Sequence, residues 1–274
     1  MTRVGQEAPR EGSVIMRLRG KLGLVSAAAS GMGRAGAIRF AEEGAAVAVA
    51  DIDRTGVEQV VSEIEKAGGR AIGITADLGQ DEEARRIVTE TVAAFGGLDF
   101  VWNHVGHPGP HAFEGIDMEA YRIAMDLNLR SVLVTSEAAI PHLRKRGGGA
   151  LLFTSSVSGL MGSPLSPVYS AAKFGVIGLV RALAKRYAPE NIRVNAICPG
   201  PIDTPMLRVF VARPDQPSSE SVDAEALAAE AARYTPMRRT GIPREIANAA
   251  LFLLSDEASY VSGVALPVDG AASA

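Results

Sequence analysis

Short apolar runs recur along the chain, each followed by a stretch in which apolar residues return every three or four positions. The runs Leu22–Ser26, Ala46–Ala50, Ala71–Thr75, Leu98–Trp102, Ala150–Thr154, Ile192–Ile197 and Val264–Leu266 are apolar at consecutive rather than alternate positions. That is the pattern of parallel strands covered by helices on both faces. Between them, Val57, Val60, Val61 and Ile64 share one helical face, and Ala84, Ile87, Val88, Val92 and Phe95 share another. The repeated strand–helix alternation predicts α/β architecture: a Rossmann-like, doubly wound parallel sheet of about seven strands. One dinucleotide-binding catalytic domain is expected over residues 17–274, with residues 1–16 as a polar N-terminal tail. Residues 204–240 break the rhythm, mixing Pro, Ser and charge with a short Ala-rich helix after a strand end. The segment is too long for an ordinary connection, so it is expected to be a helical lid over the ligand crevice.

Composition adds one question and removes several classes. Glycine, 29 of 274 residues, exceeds the usual share of roughly 7 %, yet Gly and Pro together fall short of low complexity. The excess must serve backbone positions inside a folded domain. A formal net charge of −3 lacks the basic footprint of a nucleic-acid binder. One cysteine, Cys198, excludes an internal disulfide framework and reads as a small buried residue. No apolar run approaches the roughly 18 residues of a membrane span, and residues 1–14 lack the apolar core of a signal peptide. A soluble, reducing, cytoplasmic setting is the expectation.

Part of the glycine gathers after the first run, where Gly31, Gly33 and Gly36 spell G-x-G-x-x-G ahead of a helix. Such glycines let the backbone approach a pyrophosphate, and the helix N-terminus offers free N–H groups to it. Asp51 ends the second run, where a carboxylate can accept both ribose hydroxyls of NAD and repel the 2′-phosphate of NADP. Ala27–Ser30 separate the strand from Gly31, a longer turn than that fingerprint usually has.

A second constellation lies downstream. Tyr169 and Lys173 stand at i, i+4 on a predicted helix, and Ser156 follows a strand end upstream of them. A lysine ammonium near a phenol favours the phenolate and lowers its pKa from about 10 toward neutrality. Such a tyrosine can pass a proton to or from a carbonyl or alcohol oxygen that a serine hydroxyl holds in place.

Together these motifs make the chain similar to the short-chain dehydrogenase/reductase family over residues 17–270. The family's Thr-Gly-x-x-x-Gly-x-Gly turn aligns with Ser26, Ala27, Gly31 and Gly33, and its Tyr-x-x-x-Lys with Tyr169 and Lys173. The resemblance implies four catalytic residues: Ser156, Tyr169, Lys173 and, on the helix after the fourth strand, Asn128 as a water-holding link to the lysine. It also implies a cofactor site. This would draw on Ser26, Ala27, Ser30, Gly31, Met32 and Gly33, then Asp51, Ile52, Asp77 and Leu78. Asn103, Val105 and Gly106, the catalytic pair Tyr169 and Lys173, and Pro199, Gly200, Ile202 and Thr204 would complete it. The expected activity is NAD(H)-dependent interconversion of a secondary alcohol and a ketone, Tyr169 acting as acid/base, in a cytoplasmic homotetramer. Helices 117–146 and 168–187 resemble the family's interface pair.

Two departures stand out. Ala27 replaces the first turn glycine, and Asn103-His104-Val105-Gly106 replaces Asn-Asn-Ala-Gly. Alanine fits at 27 without cost only at negative φ; at positive φ, cofactor affinity should fall. His104 and Val105 add bulk near the adenosine. Alternatives are an NADPH-dependent 3-oxoacyl-type reductase, disfavoured by Asp51 and the lack of a basic residue at Ser30, and a catalytically silent nucleotide sensor. No metal is expected from His104, His107 and His111, which lack a further ligand cluster, and no G-x-S-x-G elbow of a serine hydrolase occurs. Leu160, Met161 and Leu165, with Met206, Leu207, Val209 and Phe210, suit a hydrophobic or alicyclic substrate and no nucleic-acid or membrane partner.

Overall fold

The computed structural model describes residues 16–211 and 235–274, with residues 226, 229, 232 and 233 between them. The tail expected at 1–16 falls outside the described residues except for Met16, as does most of the central part of the expected 204–240 lid.

Seven parallel strands join one sheet in the order β3-β2-β1-β4-β5-β6-β7. They are β1 (Leu22–Ser26), β2 (Ala46–Asp51), β3 (Arg70–Thr75), β4 (Phe100–Asn103), β5 (Gly149–Thr154), β6 (Ile192–Pro199) and β7 (Ala265–Val268). All seven apolar runs become strands within two residues of their expected bounds. Run 98–102 shifts toward its C-terminus, and Asp99, just ahead of β4, accepts from Leu22 N through its carboxylate at 2.8 Å. At the last strand, Asn195 Oδ1 takes Val264 N at 3.1 Å, so regular pairing begins one residue later.

Helices α1 (Gly31–Glu42), α2 (Arg54–Lys66) and α8 (Pro243–Leu254) cover one face of the sheet. Helices α3 (Asp81–Phe95), α4 (Met118–Met125), α5 (Ser131–Lys145) and α6 (Pro167–Tyr187) lie over the other, and α7 (Pro205–Val211) follows β6. Alternate residues of the central strands feed the two cores: Leu151 and Phe153 face one, Ala150 and Leu152 the other. Because both faces bury apolar side chains, the strands carry no polar alternation. Gly36 lets α1 settle onto β4, since a Cβ there would stand 2.1 Å from the Trp102 ring. Its service is helix–strand packing rather than phosphate binding.

Two helices differ from expectation. The helix expected over 117–146 is split by a π-helical turn, Asp126–Arg130, which carries the buried Asn128. Pro167–Glu190 does have the length and mean hydropathy, 1.2, of a membrane span, correcting the expectation that no run approaches one. Half of that window is buried inside the protein, where Val168, Val176, Ile177 and Val180 pack, so the apolar content serves the core.

Candidate active site

Strand order reverses between β1 and β4, and the crevice beyond their carboxyl ends is where ligands bind in such sheets. A cavity of about 930 Å³ opens there. Ala27, Ser30, Gly31, Met32 and Asp51 form one wall; Thr154, Ser156, Tyr169 and Lys173 form the other; Pro199, Gly200, Ile202 and Thr204 close the end.

The first wall fits a dinucleotide. Helix α1 has no acidic residue in its first turn and Ser30 makes no side-chain cap, so its leading N–H groups remain for an anion. A Cβ at Gly33 would stand 2.2 Å from the Ala27 carbonyl oxygen, so only glycine permits the turn to fold this tightly. The Asp51 carboxylate braces that turn, Oδ2 accepting from Ala29 N and Oδ1 from Asp53 N, each at 3.0 Å. Lone pairs remain on both oxygens for ribose hydroxyls. The nearby cations are committed elsewhere: Arg34 pairs with Glu63, and Arg54 with Glu58 at 2.8 Å.

Ala27 adopts φ +51°, the left-handed region in which a side chain is strained by about 1–2 kcal/mol. Ala27→Gly is therefore expected to raise stability by up to about 1 kcal/mol after the greater freedom of unfolded glycine is deducted. In a chain of this size that is a Tm rise of about 2 °C, whereas Ala27→Val should lower Tm. Differential scanning calorimetry distinguishes the two; a lower Tm for the glycine variant would show that the turn carries no strain.

At the end of β4 the side chains form a relay. Trp102 Nε1 donates to Thr154 Oγ1 at 2.9 Å, and that oxygen lies 2.8 Å from His104 Nδ1. The His104 ring also packs on Trp102, 4.8 Å between centroids. Burial first, and the Lys173 charge second, push the His104 imidazole down to about 3. Ser26 is buried beneath, its Oγ accepting from His104 N at 2.9 Å, and Asn103 donates to Ser136 Oγ at 3.1 Å. Ser26 ties the ends of β1 and β4 together, Asn103 ties β4 to α5, and neither lines the cavity.

On the second wall, Lys173 is 2 % exposed, and its Nζ donates to the Thr154 carbonyl at 3.0 Å. Desolvation pushes its ammonium down to about 8. Its Nζ lies 5.4 Å from the Tyr169 ring centroid, one helical turn away. Ser156 Oγ accepts from Ser158 N at 3.1 Å, which leaves its O–H to donate into the cavity. Asn128 stands behind this wall. Its Nδ2 donates to the carbonyls of His107 (2.7 Å) and Ala124 (2.8 Å), and its Oδ1 accepts from His107 N at 3.2 Å. The side chain is thus engaged in holding the 104–109 loop. A Cβ at Gly106 would stand 3.3 Å from Asn128 Oδ1 and 3.6 Å from Lys173 Nζ, so glycine is what lets the two approach.

The structure brings Ser156, Tyr169 and Lys173 to one cavity with Ala27, Ser30, Gly31, Met32, Asp51, Gly106, Pro199, Gly200, Ile202 and Thr204. Ser26, Gly33, Ile52, Asp77, Leu78, Asn103, Val105 and Asn128 lie outside its lining. Ile52 is an exposed side chain beside the entrance, and Asp77 turns its own loop, accepting from Gly79 N at 2.9 Å. Thr154 escaped sequence reasoning because a threonine closing an apolar strand carries no distinguishing pattern. From α7, Phe210 sets its ring against Tyr169, centroids 4.9 Å apart and planes at 76°. Cys198 is fully buried, and burial pushes its thiol up to about 11.

A family model described as enoyl-(acyl carrier protein) reductase matches residues 27–272. The chain is 35 % identical to cyclohexanol dehydrogenase of Acinetobacter sp. strain SE19, over 93 % of this chain and 96 % of that one. It is 34 % identical to the 3-oxoacyl-(acyl-carrier-protein) reductase FabG of Thermotoga maritima, over 93 % and 98 %. Among solved structures, levodione reductase superposes with a TM-score of 0.86 at 33 % identity, covering 93 % of this chain and 98 % of that one.

Proposed function

Since the chain belongs to the short-chain dehydrogenase/reductase family of oxidoreductases, we propose that it interconverts a secondary alcohol and a ketone with NAD(H), Tyr169 serving as acid/base. The observation that carries this reading is the shared cavity: Ser156, Tyr169 and Lys173 face a glycine turn and Asp51 across it.

Bound against that turn, a nicotinamide dinucleotide supplies or takes up hydride. The chain's own groups handle the oxygen. The Ser156 O–H donates to the substrate oxygen, and the Tyr169 hydroxyl gives it a proton in reduction or removes one in oxidation. Lys173, charged and nearly enclosed beside the tyrosine, favours the phenolate electrostatically. Asn128 holds the loop carrying His107 against the lysine, which makes the adjoining π-turn the place for a water link from Lys173 to solvent. Thr204, capping α7 through Leu207 N at 3.4 Å, would anchor the carboxamide end, and Phe210 walls the substrate side.

For the substrate, Leu165, Met206, Leu207 and Phe210 line the cavity with apolar side chains, Leu165 and Met206 of them exposed. Together with the cyclohexanol-oxidising relative, they favour an alicyclic secondary alcohol. A homotetramer is part of the same proposal, supported by exposed Ile123, Leu133 and Phe174 on α4, α5 and α6, and a cytoplasmic setting is proposed with it.

The FabG relative favours a second reading, an NADPH-dependent 3-oxoacyl-type reductase. The two part at Asp51, whose carboxylate lines the cavity and would repel a 2′-phosphate, while Arg34 and Arg54 are paired with Glu63 and Glu58. We expect NAD+ to bind at least about tenfold more tightly than NADP+, a difference of about 1.4 kcal/mol, and to support cyclohexanol-type oxidation. Calorimetric titration of both, followed by an alicyclic alcohol panel, decides it; tighter NADP+ binding with turnover of 3-oxoacyl thioesters establishes the second reading.

A further inference from the structure

His104 stands where the family pattern has asparagine, and its surroundings favour one ring nitrogen as the carrier of the proton. An indole N–H can only donate, so Thr154 Oγ1 is an acceptor toward Trp102 Nε1. The threonine keeps its own O–H to donate, and His104 Nδ1 lies within its reach at 2.8 Å. With Nδ1 accepting, the one proton of the neutral ring sits on Nε2.

The ring has little freedom to turn. Trp102 packs on it at 4.8 Å, and on another side its Cδ2 lies 2.9 Å from where a Gly33 Cβ would stand. Nε2 is bonded to Cδ2, so the N–H corner lies on the glycine-turn side of the ring, in a residue that lines the cavity. No acceptor among the described residues takes this N–H. Desolvation first and the Lys173 charge second keep the imidazole neutral at ordinary pH, so it offers a donor without adding a second cation.

We propose that His104 is a dinucleotide-binding residue of this chain, its Nε2–H donating to an oxygen of the cofactor's phosphate–ribose backbone beside Gly31 and Gly33. The inference rests on the dinucleotide reading above. Where the family pattern has an amide, whose donor and acceptor ends can exchange by a flip, a ring that turns Nδ1 to Thr154 as acceptor presents a single donor. The added ring bulk is then a binding device rather than an obstruction.

The test uses the full chain, with calorimetric titrations of NADH and of NADPH. His104→Phe keeps a ring against Trp102 and Gly33 but removes the donor, and is expected to weaken binding of the preferred dinucleotide about tenfold. His104→Asn restores a donor and should stay within about threefold of wild type. In parallel, nitrogen-15 NMR of the wild-type imidazoles should find the His104 proton on Nε2 and a shift of that resonance on saturation with the dinucleotide. Undiminished binding by His104→Phe, a proton found on Nδ1, or an Nε2 resonance unmoved by saturation would each overturn the proposal. Should His104→Phe lose its cooperative melt, the wild-type NMR decides alone. A wild type that binds neither dinucleotide overturns the dinucleotide reading as well; one that binds while His104→Phe binds equally overturns only the role of His104.

Discussion

Tyr169→Phe is expected to lower kcat about 1,000-fold, within the 10²–10⁴ range of a positioned proton donor, while NADH affinity stays within about fivefold of wild type. The substitution removes one oxygen from a side chain that is 9 % exposed, edge-on to Phe210 and beside Lys173. The ring that fills this space is retained, so neither fold nor cavity shape should change. What disappears is the group able to exchange a proton with the substrate oxygen. Single-turnover kinetics beside calorimetric NADH binding separate the two consequences. Turnover retained by the phenylalanine variant across a range of pH would move the proton to another group and end the assignment.

Lys173→Met is expected to reduce kcat about 100-fold or more without lowering stability. Methionine matches the stem of the lysine and lacks the charge whose burial is unfavourable; the hydrogen bond to the Thr154 carbonyl is the offsetting loss. The wild type should also show a pH signature that the variant lacks. Burial lowers the lysine from 10.5 to about 8 in the folded chain, so between those values the unfolded chain holds a proton that the folded one has released. Stability from this group therefore rises with pH across that window and is smallest below pH 8. Over the same range the ammonium beside Tyr169 is lost, so kcat/KM should bend near pH 8 in the wild type. Melting curves and pH–rate profiles of both proteins provide the check; a variant with wild-type turnover and the same bend removes Lys173 from the chemistry.

The sheet was legible because its strands are buried on both faces: Val47–Ala50 or Leu151–Phe153 can hardly be anything but central parallel strands. Ser156, Tyr169 and Lys173 were legible because the catalytic pair keeps helical spacing and the serine follows a strand. Features set by backbone angle or by contacts between distant segments were not. Ala27 announces itself as an exception, but its φ of +51° depends on how β1 meets α1. The relay through Trp102, Thr154 and His104 joins residues from two strands, 52 and 50 positions apart in its hydrogen bonds. Ser26 and Asn103 share the family positions, yet Ser26 is consumed between the ends of β1 and β4, and Asn103 between β4 and α5. The segment 212–225 lies outside the described residues, and so does the larger part of the lid expectation.

The π-turn at Asp126–Arg130 gives chain length a meaning that residue identity does not capture. An α-helix advances about 100° per residue, and the wide turn takes up the extra residue that lets α4 pack toward α6 while α5 packs on α3. The turn works as a phase shifter between two helices aimed at different neighbours. Deleting one residue between α4 and α5 would swing α4 by about 100° and carry Asn128 away from the His107 loop, although Ser156, Tyr169 and Lys173 all remained. Counting residues across this stretch is therefore as informative about a relative's active site as finding the asparagine itself.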